Sequence, residues 1–304
     1  MDSQKRNQMQ LYNSVIIAYR RRPECLKLFL RSLELALGNV KGDSVEVVIT
    51  ELCNDDDRTQ GIINEFKDKI HIKYFPIQYT GNFWKSKALN HSARFAEGDI
   101  ITMVDVDALV PPVFFVGIEK FFGEYKSKSR LGHRVRFLND SSSNWFRQNP
   151  NFSMADFNKI CVSQSNKHKL AKERYSISNL QKHEFNPNSI RALPHDFRTT
   201  QILGNSHFSM QKDHYMKLGG FDERFIGYGC EDLDFNVRAL RLIGQSRMKL
   251  EPSYTVYHLS HKYEKRQWKD KGLTDLNRRQ YKNNRRNRTC ELPITSQWGT
   301  FIKT

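Results

Sequence analysis

The apolar positions of this chain change period repeatedly over its first hundred residues. Ser14 to Ala18 is a short run rich in β-branched residues, as a buried strand should be. Pro23 can open a helix; Leu26, Phe29, Leu30, Leu33 and Leu37 then recur at helical spacing, and Gly38 is a reasonable stop. Val45 to Ile49 reads as a strand buried on both faces, Ile62 to Phe66 as helix, and Ile70 to Phe75 as strand. Lys85 to Ala96 places Ala88, Leu89, Ser92, Ala93 and Ala96 on one helix face, and Ile100 to Val104 is a fourth strand. This alternation predicts an α/β fold: a mainly parallel central sheet with right-handed crossovers, flanked by helices.

The periodicity fades between Lys126 and Arg198, a polar stretch with clustered Ser, Asn, Lys and Arg, expected to be an insertion on the substrate side or a mobile loop. Order returns at Ile202 to Met210. A helix is predicted over Glu231 to Leu242, then a strand near Tyr254 to Tyr257. With no internal repeat and no linker, the expectation is one domain over residues 1–261, its first half about 12–110 and its second about 199–261, with 126–198 variable and 262–304 a basic tail.

Charge sharpens that last boundary. The chain carries a net +16, and the stretch from Lys262 to Thr304 holds 12 Lys or Arg against 4 Asp or Glu, so half of the excess lies there. Such a region is either a solvated tail or a contact for a polyanion: an anionic membrane face, an acidic glycan or a nucleic acid, although no motif reads bases. The five cysteines form no Cys-x-x-Cys pair, which disfavours a disulfide framework and a structural zinc site. Met1 to Gln10 is polar and no run approaches a membrane span. The expected setting is cytoplasmic, with the basic tail against the inner membrane face.

Four constellations carry candidate chemistry. Ile101-Thr102-Met103-Val104-Asp105-Val106-Asp107 is an apolar strand that stops at two carboxylates. Ligands of open α/β sheets bind at such strand ends. If the segment is extended, Asp105 and Asp107 point the same way and can hold Mg²⁺ or Mn²⁺ against a diphosphate; a solvated turn would carry the same residues. Val15 to Glu24 runs a strand into Arg20, Arg21 and Arg22, which could pair with phosphates or be a solvated basic turn. Gly219 to Asp234 clusters glycines and Tyr228 immediately before Glu231, Asp232 and Asp234. Favourable helix-start charge accounts for the acids but not for the glycines or Tyr228. Finally, His258 and His261 follow a β-rich segment.

These strings resemble the GT-A glycosyltransferases: family 2 broadly, and family 7, the β-1,4-galactosyltransferase-like enzymes, in particular. The stretch Phe83 to Pro111 is similar to the family 7 metal region, Val15 to Glu24 to its Pro-Phe-Arg-Asn-Arg motif, and Gly219 to Asp234 to its Gly-Trp-Gly-Gly-Glu-Asp motif. The resemblance implies a GT-A fold and an inverting, metal-dependent transfer of a hexose or N-acetylhexosamine from a UDP-sugar to a glycan or glycolipid. By it, Asp107 ligates Mn²⁺ (or Mg²⁺) and Asp105 lies near the ribose and the metal's water shell. His258 completes the metal set, with His261 as the spare. Ala18, Tyr19 and Arg20 lie along the uridine, Arg22 near the diphosphate, and Glu51 at the uracil; Lys87 and Asn90 count with the nucleotide site. Asp232 is the general base, while Glu231, Gly229 and Tyr228 meet the acceptor. Ala18 stands where the family has proline, Arg21 for asparagine, Tyr228 for tryptophan and Cys230 for glycine.

Other classes fare worse. A haloacid-dehalogenase-type phosphatase also begins with Asp-x-Asp, but puts Thr or Val where Leu109 stands and starts near the N-terminus. No Gly-x-x-x-x-Gly-Lys or Gly-x-Gly-x-x-Gly string supports a nucleoside triphosphatase or dinucleotide enzyme. A non-catalytic glycan- or polyanion-binding protein on a transferase fold remains the non-enzyme alternative.

Overall fold

The structure is a computed structural model that describes residues 12–40, 44–53, 57–125, 130–162, 207–243, 246–248, 255–260 and 270–301. Its first half follows the sequence pattern closely. Strand β1 (Asn13–Tyr19), helix α1 (Pro23–Leu37), β2 (Val45–Cys53), α2 (Asp57–Phe66), β3 (His71–Gln78), α3 (Lys85–Phe95) and β4 (Ile100–Met103) alternate as predicted. Pro23 sits at the start of α1, where its missing N–H costs nothing, and Gly38 caps the end.

β1 pairs in parallel with β2 and with β4, and β2 with β3. The sheet extends through β8 (Phe208–Gln211), β6 (Arg130–Gly132) and β9 (Ser246–Met248) in the order β3-β2-β1-β4-β8-β6-β9, with β8 antiparallel to both neighbours. Alternation along β1 sends Val15, Ile17 and Tyr19 to a layer with α1 and α4 (Phe114–Glu124), and Ile16 to the opposite layer with α3. Helices α7 (Lys212–Lys217) and α8 (Glu231–Ile243) contribute Tyr215, Phe235 and Ala239 to that second layer. Both faces are therefore covered, which is why the central strands read as continuous apolar runs.

A second sheet has three strands. It consists of β5 (Ala108–Leu109), β10 (Thr255–His258) and β7 (Arg134–Phe137). β10 ends on His258, one residue later than the pattern suggested. The stretch expected to be a variable insertion thus supplies a strand to each sheet, and α5 (Asp140–Gln148) and α6 (Met154–Phe157) besides. Residues 163–198, and His261, lie outside the described residues.

The basic C-terminal region is no detached tail. Helix α9 (Lys271–Arg286) is capped by Asp270, whose carboxylate accepts the Gly272 and Leu273 N–H groups. Residues 289–301 then return across the domain as a strap. Trp298 is buried in the second core layer and donates its Nε1–H to Gly219 O at 2.8 Å. Gly299 N donates to Glu223 Oε1 at 2.7 Å, and Leu292 N to Leu218 O at 3.0 Å. The five cysteines are free thiols. Among the described residues no helix is long and apolar enough to cross a membrane.

Candidate active site

The site forms where the two sheets meet, at the carboxyl ends of β1 and β4. Strand β4 stops at Met103, so Asp105, Val106 and Asp107 form a turn, closed by Ala108 N donating to Asp105 O, rather than the extended segment expected. The two aspartates consequently meet different partners. Asp107 Oδ2 takes Arg22 Nη1 at 2.5 Å, and its Oδ1 faces His258 Nε2 at 3.4 Å. Asp105 Oδ1 takes Lys85 Nζ at 3.0 Å, and Lys85 also reaches Asp232 Oδ1 at 3.5 Å.

Topology explains each approach. Antiparallel pairing of β10 with β5 sets His258 opposite Ala108, and Leu259 N donates to Asp107 O, so the histidine arrives beside the carboxylate that precedes β5. Antiparallel pairing of β8 with β4 sets Phe208 opposite Met103, which brings His207 to Asp105. Asp105 N–H donates to His207 Nδ1 at 3.3 Å, so a neutral His207 carries its proton on Nε2, 3.7 Å from Asp105 Oδ2. Burial pulls His207 down to about 4, against the Asp105 charge, so at neutral pH this contact is not an ion pair.

Electrostatics hold the cluster charged. Burial works against the Lys85 ammonium, but Asp105, Asp232 and Glu231 together raise its pKa above the ordinary lysine value. Burial likewise disfavours the Asp105 carboxylate, yet Lys85 keeps it below the usual range. Glu231 behaves differently: burial, then the neighbouring Asp232 charge, raise it to about 7, with Lys85 opposing. Its Oε2 accepts the Gly229 N–H at 2.9 Å.

The loop before α8 accounts for the glycines. Gly227 and Gly229 take φ of +74° and +111°, and Cys230, where the resembled motif has glycine, takes +71°. Arg21, at the motif's asparagine, also lies in the left-handed region, at +51°, which asparagine tolerates better than arginine. Gly227 N donates to Phe83 O, and Asn277 of α9 donates to Ile226 O and Tyr228 O, so the C-terminal helix holds the loop from outside. Tyr228 itself is 55% exposed.

The remaining predicted positions divide. Ala18, Tyr19 and Arg20 sit at the end of β1. Tyr19 is buried, its hydroxyl accepting Arg22 N–H, and Arg20 Nη1 donates to Gly81 O at 2.7 Å. Glu51 lies inside β2, not after it, and its buried carboxylate accepts from Thr59 and Tyr74. Asn90 and Lys87 are not brought to the carboxylate cluster. Asn90 binds the Phe221 backbone, Tyr215 and Glu223, and Lys87 lies over the Trp84 ring, 3.9 Å from Glu223. Conversely, sequence reasoning missed Lys85 and His207. Lys85 begins α3 just after Trp84, where a lysine reads as solvated. His207 falls at the edge of the unpatterned segment, its only signal being proximity to the β8 run.

Arg22, Asp105, Asp107, Glu231, Asp232 and His258 thus converge near the carboxyl ends of the central strands. The chain belongs to glycosyltransferase-like family 2, whose profile matches residues 38–270. Among solved structures it is similar to S. aureus TarS, at 16% identity and TM-score 0.56, over 82% of this chain. TarS 1–349 in complex with UDP-GlcNAc is similar at 15% identity and TM-score 0.53, over 84% of this chain and 60% of that one. A mannosyltransferase from Pyrobaculum calidifontis, in complex with GDP-Man and Mn²⁺, is similar at 14% identity and TM-score 0.52, over 84% of this chain and 59% of that one. At these identities the likeness is one of fold. This chain spans 37% of that first TarS chain. No curated protein matches the sequence.

Proposed function

We propose that this chain transfers a hexose or N-acetylhexosamine from a UDP-sugar to a glycan or glycolipid hydroxyl, with inversion. The observation that carries the reading is the pairing of Lys85 with both Asp105 and Asp232, which draws the nucleotide-side and acceptor-side carboxylates into one cluster. That one neighbour in this fold is solved with UDP-GlcNAc supports the donor class.

The residues fit a divalent ion. His258 Nδ1 lies 2.7 Å from Leu259 O, an acceptor, so Nδ1 carries the proton and Nε2 turns toward Asp107. Metal-ligating histidines are commonly oriented by such a backbone contact. Asp107 and His258 would hold Mn²⁺ or Mg²⁺, with Asp105 near its water shell. Among the described residues no three such groups stand in a ready metal set, so diphosphate oxygens and water would fill the shell. The ion would supply charge neutralisation on the leaving diphosphate. Arg22, which spans toward Asp107, adds a guanidinium to the same charge.

On the acceptor side, Tyr228 offers an exposed ring for a sugar face, and Gly229 and Glu231 border it. Asp232 is proposed as the general base that takes the hydroxyl proton as the new bond forms. A second assignment, Glu231 as base with Asp232 held by Lys85, is favoured by the rise of Glu231 to about 7, close to working pH. On α9 the exposed Arg278, Arg279, Lys282 and Arg286 support peripheral contact with an anionic membrane surface.

The test is UDP release from a panel of UDP-sugars, with Mn²⁺ and with EDTA, for wild type, Asp107→Ala, Asp232→Asn and Glu231→Gln. Release that needs metal and Asp107 is expected. Asp232→Asn should lose acceptor-dependent turnover by at least about 100-fold if it is the base, and Glu231→Gln should do so instead under the second assignment. No release and no UDP binding would overturn the reading and favour the polyanion-binding alternative.

A further inference from the structure

A cleft of about 820 Å³ opens on the far side of the loop that leads to Glu231. One wall is the Gly219 to Arg224 segment with Trp84 and Lys87; the other is α9 and the strap. This second wall lies beyond residue 270, where the family match ends.

The wall that α9 contributes is chemically odd. Its outward residues are largely arginine and lysine, but Gln280, Asn283, Asn284 and Asn287, at i, i+3, i+4 and i+7, put four carboxamides on the face that lines the cleft. Asn283 and Asn284 lie inside α9, where asparagine costs up to about 0.7 kcal/mol relative to alanine, and Asn287 is its C-cap. Asn284 has a structural use, donating to Asp222 and Asp234 from a buried position, and Gln280 in turn donates to Asn284 Oδ1 at 2.8 Å. Asn283 and Asn287 are exposed, as is Gln297 across the cleft.

The charges along the cleft are matched locally. Arg224 pairs with Asp222 at 2.7 Å, Lys87 with Glu223 at 3.9 Å, and Glu291 with Lys217 at 4.0 Å. On a chain of net +16 this lining selects against neither sign and attracts neither. Carboxamides offer paired donors and acceptors suited to vicinal hydroxyls. The volume suits a ligand of several sugar units.

We propose that this cleft binds a neutral oligosaccharide. Two sources share that chemistry: the remote sugars of the transferase's own acceptor, or a separate glycan chain. The first rests on the transferase reading; the second does not.

The experiment measures binding of neutral hexasaccharides of glucose, N-acetylglucosamine and galactose, by calorimetry and indole fluorescence. An anionic oligogalacturonate serves as comparator. Wild type is compared with N283A/N287A/Q297A, three exposed positions, with the unfolding midpoint checked in both. The expected result is saturable binding of at least one neutral probe, weakened tenfold or more in the triple variant with the midpoint unchanged. If the acceptor is the source, acceptor KM also rises in the variant at constant kcat; if a separate chain is, kinetics stay constant while binding is lost. No binding of any neutral probe at millimolar concentration, unaltered binding in the variant, or tighter binding of the anionic comparator would overturn the proposal. Failure of UDP binding would sink the transferase reading and leave these arms readable.

Discussion

Replacing Asn90 with alanine separates a nucleotide contact from a keystone of the segment that precedes α8. The side chain makes four hydrogen bonds. Oδ1 accepts Tyr215 OH at 3.0 Å and Phe221 N–H at 2.9 Å; Nδ2 donates to Phe221 O at 2.9 Å and to Glu223 Oε1 at 2.9 Å. Each is worth about 1 kcal/mol net, and a buried group left without its partner costs about 1–3 kcal/mol. Tyr215 and Phe221 are both buried, so the truncation should cost about 3–5 kcal/mol, a large part of the roughly 5–15 kcal/mol that holds a domain together. Asn90→Asp should be no milder, because it sets a second carboxylate against Glu223 and removes both donors. Urea denaturation measures the loss, and UDP calorimetry on the folded variant should give an affinity within about twofold of wild type, a difference under about 0.5 kcal/mol. An unfolding free energy within about 1 kcal/mol of wild type, together with UDP binding weakened tenfold or more, would refute this reasoning and return Asn90 to the nucleotide site.

Two further outcomes follow from local geometry. Cys230→Gly should stabilise the chain by about 0.5–1 kcal/mol in thermal unfolding, since a β-carbon at φ +71° costs about 1–2 kcal/mol and glycine's extra chain entropy returns part of it. His91 is pulled down to about 4 by burial, with Arg94 adding to the effect, so the folded form binds its proton more weakly than the unfolded form near 6.5. Between those values the unfolded chain takes up more protons. Stability should therefore fall as pH drops from about 6.5 toward 4, and His91→Gln should flatten that slope in a denaturation series.

The sequence made the first half of the fold legible because its strands are buried on both faces and its helices carry an apolar stripe. Ile16 and Val48 face one layer while Val15 and Val47 face the other, and no register error could hide such strands. The three-residue β6 and four-residue β7 are too short to show a period, and Arg134 and Arg136 in β7 read as loop. The strap was misread for another reason. It is held by hydrogen bonds to backbone and by Trp298 rather than by an apolar face, so its charge dominated the pattern; Trp298 and Phe301 were the signal available. In the site, Asp105, Asp107, Glu231, Asp232 and His258 were legible as strand-end and helix-start residues. Lys85 and His207 were not, because only tertiary approach reveals that these two side chains are buried between carboxylates and strands.

The strap also has a consequence for the order in which the molecule is completed. Synthesis delivers Asn90 first, Gly219 and Glu223 much later, and Gly299 last of all. Before then the Gly219 carbonyl lacks the Trp298 indole and the Glu223 carboxylate lacks the Gly299 amide. A nascent chain stalled short of residue 289 holds the strands and helices of both sheets, and α9 already reaches Ile226 O and Tyr228 O through Asn277, but the Gly219 to Glu223 stretch still lacks its two bonds to the strap. The ribosome thus finishes the scaffold well before the strap is in place.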